Sequence, residues 1–295
     1  MTDAAPTRAT RRLFPVSATT VMCGLAALAY VVAFIAYPYG HVGVFSFWEK
    51  DLYSIRPAFI LDNYARIVER PLYLHVIGNS LRIAALVTLI SAILGYTLAV
   101  FLERYAGRWR TLLFFLLIVP LWTSFLLRAY VWKIILGRNG LIGGVLGQVG
   151  VQPDDIGFLL YSDVSIVIAL VYIFVPFVAI PVFAALEKIP ASYREASADL
   201  GARPFQTFLD VVFPLTVPSL LAGSTIVFCL SFGDFITPAL LGGSDDIMIA
   251  NIIIGQFGAA FDWPFGSALA IVVLATVMLV VTAAAWLGNR VAGGR

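Results

Sequence analysis

Apolar residues run through this chain in long unbroken stretches, and most polar positions fall between them. The runs cover about residues 16–37, 73–102, 111 to just before 137, 164–186, 219–241 and 264–287. A helix rising 1.5 Å per residue needs about 20 such residues to cross a hydrocarbon core. Lipid offers no partner to a free backbone group, so each run is expected to be a helix. A β-barrel would alternate in segments of about ten residues, whereas these runs are continuously apolar. The first run follows a polar tail, 1–15. It exceeds the 7–15 residues or so of a signal-peptide core, and its small-x-small triplet, Ala27-Leu28-Ala29, is followed by more apolar sequence. The expectation is an uncleaved first span in an all-α integral membrane protein with six transmembrane helices.

The polar intervals set sidedness. An even number of spans puts both termini on one side. That side carries Arg8, Arg11, Arg12, Arg104, Arg108, Arg110, Lys188, Arg194, Arg203, Arg290 and Arg295, eleven bases. The other side carries Lys50, Arg56, Arg66, Arg70 and Arg138, five. The positive-inside rule then makes the termini, the 103–110 loop and the 187–214 stretch cytoplasmic, with 38–72, 137–163 and 242–263 outside. The outer loops carry ten acids against five bases, weak support for attracting a cation or a receptor.

The 187–214 stretch is too long and too patterned for a plain connection. Pro190 precedes Ser192-x-x-Glu195, a capping-box spacing that predicts a helix over about 193–200. Gly201 stands where a helix end favours a left-handed residue. Arg203-Pro204 predicts a second short helix, and Pro214 and Pro218 the entry to the fifth span. This polar knob is either an amphipathic helix on the membrane surface or a docking element for a partner.

Composition narrows the field. The chain is 61% hydrophobic and 12% charged, half the charge of a typical soluble domain. None of the three lysines precedes Ser or Thr, so there is no P-loop. Metalloprotease and nucleophile-elbow motifs are absent, as are zinc-ligand spacing and any basic stripe for nucleic acid. Cys23 and Cys229 lie in separate runs and read as small buried hydrophobes.

Glu195-Ala196-Ser197, three residues, Gly201, nine residues, then Val211-Val212-Phe213-Pro214 resembles the EAA loop of ABC importer permeases. Ser197, Val211 and Phe213 are mild departures from that family's alanine, isoleucine and leucine. The likeness covers a type I permease core over 73–288, with one extra N-terminal helix. Gly233-Asp234-Phe235-Ile236-Thr237-Pro238, Leu240-Leu241-Gly242-Gly243 and Asp262-Trp263-Pro264-Phe265-Gly266 look most similar to spermidine/putrescine permeases. The resemblance implies a cytoplasmic coupling helix involving Tyr193, Glu195, Ala196, Ser197, Leu200, Gly201, Arg203 and Pro214. It implies two separate ATP-binding subunits holding ATP-Mg, with no cofactor on this chain. A second, related permease, an extracytoplasmic solute-binding protein and a place in the bacterial inner membrane also follow. An ion-coupled secondary transporter of a small organic cation is the alternative.

Asp234 is the acid expected well inside a span. A lone carboxylate there should face protein or water, so it is either a cation-facing pathway group, with Phe235 and Thr237, or half of an ion pair with Arg82 or Arg128. Arg82, Arg128 and Lys133 are expected to snorkel to the outer interface. Trp122, Tyr130 and Trp132 are aromatic-belt residues or walls of a cation site. Pro120, Pro176 and Pro181 are expected to kink their helices.

Overall fold

The computed structural model of the chain describes residues 18–51, 54–137, 140–148, 161–243 and 246–293. The 1–15 tail, Arg138, Asp154, Asp155, Asp245 and Arg295 lie outside the described residues.

The first helix runs as α1 (Ala18–Val31), a π-turn (Val32–Ala36) and α2 (Tyr37–Phe45). Pro38 has no N–H for the carbonyl four residues back, and the π-turn just before it absorbs the missing bond. The helix therefore continues past the expected end near residue 37. It buries almost nothing against the rest of the chain, so Cys23 is exposed rather than buried.

The expected 38–72 loop is folded. β1 (Glu49–Lys50) and β2 (Ile55–Arg56) pair antiparallel, and α3 (Asp62–Glu69) leads into α4 (Pro71–Arg104). The Asn63 amide donates to the carbonyls of Ser46 and Trp48, both at 2.9 Å. Arg66 reaches Asp262 at 2.8 Å and lies 3.9 Å above the Phe265 ring.

A 3-10 turn (Gly107–Trp109) opens α5 (Arg110–Ile118), and a second (Val119–Trp122) closes it. Thr123 and Ser124 are extended before α6 (Phe125–Leu136), and the two arms bend by more than 40°. The third span is thus broken just after Pro120. α7 (Leu141–Gln148) precedes α8 (Asp163–Glu187), whose first turn is closed by reciprocal Ser162–Ser165 capping.

The polar connection holds α9 (Ala191–Asp199) and α10 (Pro204–Thr207). A π-turn (Phe208–Val212) ahead of Pro214 joins α10 to α11 (Phe213–Phe232). The fifth span is consequently one helical path over Pro204–Phe232, and it stops at Gly233, short of the expected end at 241. α12 (Ile236–Leu241) and α13 (Ile249–Phe257) follow, the latter inside the stretch expected to be loop, and α14 (Trp263–Gly293) ends the chain. Among the described residues five helices are long and apolar enough to cross a membrane, and the bent α5–α6 pair makes a sixth.

The core is α8 held between α4 and α11. Ile83, Val87, Ile166, Leu170, Ile173, Val178, Val182 and Val227 are buried there. In lipid such contacts gain little from the hydrophobic effect and rest on close packing. A β-carbon on Gly95 would stand 2.8 Å from Val178 Cβ, and one on Gly223 2.8 Å from the Phe177 carbonyl oxygen. Both neighbours reach α8 through glycine at the same level. Several hydroxyls in the spans are satisfied locally: Ser80, Thr88, Thr225 and Thr276 each donate to the carbonyl four residues back.

Candidate functional site

Two places gather the singled-out residues, at opposite ends of the helix bundle. The first is the α9–α10 knob. Pro190, with ψ 142°, turns the chain straight into a helix at Ala191. Ser192 therefore sits inside the helix, and the expected Ser192–Glu195 capping box does not form; no side chain caps this end. At the other end Gly201 has φ +83°. Its N–H donates to the Ala198 carbonyl at 2.8 Å, and the Ala202 N–H to the Ser197 carbonyl at 3.1 Å. These two bonds are a Schellman turn, which a left-handed residue makes possible. Arg203 then opens α10, its N–H given to Gln206 Oε1 at 2.8 Å.

The knob is tied to the helices behind it. Arg194 pairs with Glu103, at the end of α4, at 3.0 Å. Arg110 pairs with Glu187 at the end of α8 and stacks over Phe183. The Ser197 and buried Thr207 hydroxyls share a bond of 3.0 Å. Tyr96 on α4 packs edge-on against Phe208 and Phe213 and bonds Thr216 at 2.9 Å. Pro214 is half-buried in this region. The outer face is free: Glu195 and Ala196 are exposed, as are Tyr193 and Phe205, and Leu200 is 89% exposed. A rigid knob with apolar side chains at its tip suits protein contact. Glu103, Arg194 and Thr207 were not singled out from sequence. The signal that could have found the first two was opposite charge in the polar intervals 103–110 and 187–214, Glu103-Arg104 and Arg194-Glu195; nothing in the sequence marks Thr207.

The second place is the corner where α11 gives way to α12. Asp234 is buried. Its carboxylate accepts the N–H groups of Ile236 and Thr237, each at 3.1 Å, so it caps the first turn of α12. Neither expected ion pair forms. Arg82 pairs with Asp163 and donates to Asn79 at 2.8 Å. Arg128 lies 5.7 Å over the Phe125 ring, with Nε and Nη1 buried and unbonded. Lys133 stands 5.8 Å from the Tyr161 ring centroid.

Thr237 is fully buried, and Phe235 is well exposed. Asn251 on α13, missed in the sequence, donates to the Phe235 carbonyl at 2.8 Å. α12 packs against α6, which carries Tyr130, and against α8. Trp122 stands exposed at the break between α5 and α6. Among the described residues no hydrogen bond or ring contact joins Trp122 or Tyr130 to Asp234. Trp132 meets Tyr172 edge-on at 5.5 Å. Both line an apolar cavity of about 600 Å³ bounded by Pro120 and Pro176, and a neighbouring one of about 430 Å³ that holds Arg128. A third, of about 400 Å³, lies beside Pro238, Gly242 and Asn251. Among the described residues no three His, Cys, Asp or Glu side chains converge as metal ligands.

The chain is 37% identical to the spermidine/putrescine transport system permease protein PotB of Escherichia coli (strain K12) over 267 residues, 89% of this chain and 96% of that protein. It is 35% identical to the inner membrane ABC transporter permease protein YdcU of the same organism, over 77% of this chain and 75% of that one. Its fold matches a chain of a bacterial ABC transporter that imports the acidic polysaccharide alginate, with TM-score 0.71, 16% identity, and 92% and 95% coverage. A chain of the MetNI methionine ABC transporter matches with TM-score 0.55, 19% identity, and 74% and 95% coverage. The family described as binding-protein-dependent transport system inner membrane component matches residues 77–293, the stretch that holds both the knob and the Asp234 corner, and the chain belongs to that family of ABC importer permeases.

Proposed function

We propose that this chain forms, with a second and related permease, the alternating-access pathway of an ATP-driven importer for a polyamine such as spermidine or putrescine. The observation that carries the importer reading is the protruding α9–Gly201–α10 knob, apolar at its tip and ion-paired at its base. Two ATP-binding subunits hydrolyse ATP-Mg outside this chain, and a solute-binding protein delivers cargo from the outer side. The termini and the knob are cytoplasmic in the bacterial inner membrane. The polyamine reading is supported by the named relatives. It is not supported by fold, since the alginate importer shares the fold and moves an acidic cargo.

Tyr193, Glu195, Ala196, Ser197, Leu200, Gly201 and Arg203 make the contact with the ATPase. When the ATPase pair closes, α9 moves as a body. The Arg194–Glu103 pair passes the motion to α4, and the helical path through α10 and Pro214 passes it to α11. Those two helices flank α8, so the push reaches the core of the bundle. Asp234, Phe235 and Thr237 stand in the cargo pathway at the outer end, with Trp122 and Tyr130 as aromatic walls. Family membership disfavours the ion-coupled alternative. The deciding experiment reconstitutes the complex in proteoliposomes with its binding protein. Uptake should require internal ATP and survive collapse of ion gradients. Uptake without ATP that is abolished by collapsing a gradient would overturn the proposal.

A further inference from the structure

Asn251 has an unmet bond. Its Nδ2 donates to the Phe235 carbonyl at 2.8 Å, and that acceptor fixes the amide orientation, because an oxygen turned toward a carbonyl would be repelled. Asn251 Oδ1 is thereby aimed elsewhere; it is shielded from water and has no partner. A buried acceptor left unpaired is costly and rare in folded proteins. The same corner holds the buried Asp234 carboxylate and the buried Thr237 hydroxyl. It also holds the exposed ring of Phe235. A cavity of about 400 Å³ bounded by Pro238, Gly242 and Asn251 adjoins it. The corner presents an anion that also caps α12, an unpaired amide oxygen, a hydroxyl and a π-face. No basic side chain among the described residues lies within ion-pair distance of Asp234. The complement is a cation with several N–H donors and no acceptor, which describes a protonated amine.

We infer that Asn251 Oδ1 accepts a hydrogen bond from a protonated amino group of the cargo, completing with Asp234, Thr237 and Phe235 an ammonium-binding subsite at the outer mouth of the pathway. This rests on the proposed polyamine function and adds a specificity-determining residue to it. Asn251 also holds the Phe235 carbonyl, so a single deletion does not separate the two roles. Asn251→Asp and Asn251→Leu together do. Both lose the donor to Phe235, but only aspartate keeps an acceptor facing the subsite.

The test is putrescine and spermidine uptake by the whole importer in proteoliposomes, with ATPase activity stimulated by the loaded binding protein as the control. Asn251→Leu should raise the apparent KM about tenfold or more, as expected for a lost bond to a charged group. Asn251→Asp should stay within about threefold of the unmodified complex, and ATPase stimulation should hold in both. Equal loss in the Asp and Leu variants would overturn the assignment of Asn251 and leave the polyamine function standing. Failure of the unmodified complex to import either amine would overturn both.

Discussion

Gly201 holds φ +83°, and a β-carbon there meets nothing within 4 Å. Replacement therefore costs backbone energy alone, about 1–2 kcal/mol for most residues in a left-handed conformation and least for asparagine. Gly201→Asn is expected to keep transport coupled. Gly201→Val should leave the amount of inserted protein unchanged and lower the solute moved per ATP hydrolysed; a coupled valine variant would remove the turn from the transmission path. Asp234 makes a different demand. Asparagine there can accept from only one of the Ile236 and Thr237 N–H groups and turns its own N–H₂ toward the other. Asp234→Asn should cost about 1–2 kcal/mol, the scale of a lost helix cap, seen as a lower melting temperature of the solubilised protein. Uptake should fall as well, and unchanged stability would mean that the carboxylate does not hold α12. The need for glycine at 201 was legible because a backbone conformation follows from one residue type. The partners of Asp234 were not, because its ligands are main-chain groups two and three residues on, whereas the cost of a lone carboxylate in a span pointed to a cargo cation or to Arg82 or Arg128.

Among the elements, α9 is the one whose attachment decides its use. Glu103 and Arg194 meet at 3.0 Å with both side chains largely buried, so the pair escapes most of the screening that makes exposed ion pairs weak. A double-mutant cycle through Glu103→Gln and Arg194→Met should give an interaction of about 0.5–3 kcal/mol in thermal stability. It should also give a matching loss of ATPase stimulation by the binding protein. Additive effects would mean that α9 is positioned by Thr207 and the Tyr96 aromatic cluster alone. The long apolar runs predicted α4, α8 and α14 well, because one continuous period covers each. The two π-turns, at Val32–Ala36 and Phe208–Val212, were not legible. Proline at 38 and at 214 reads as an end or an entry in sequence, yet a widened turn upstream lets each helix continue. Gly233 did the opposite: an apolar run continues to 241, but the helix breaks where Asp234 claims the N–H groups of the next turn.

For the molecule as a whole, sidedness is the claim that orders the rest. Eleven bases against five make the inner side the expected place of the α9–α10 knob, and the fold places the β1–β2 ladder with α3 at the other end of the helix bundle. Arg66–Asp262 and the Lys50 bond to the Ala260 carbonyl clip that ladder onto the turn before α14. Both surfaces carry exposed serines, Ser192 on the knob and Ser54 beside β2. The native cysteines, Cys23 and Cys229, lie within spans, where a charged reagent reaches poorly. Single cysteines placed at 54 and at 192, in a chain whose two native cysteines are replaced by alanine, separate the possibilities. A membrane-impermeant maleimide should label position 54 in intact spheroplasts and position 192 only after permeabilisation. The reverse pattern would put the knob outside, beyond reach of any cytoplasmic ATPase. The coupling role of Gly201 and the outer position of the Asn251 subsite would then fall together, since both depend on this one orientation.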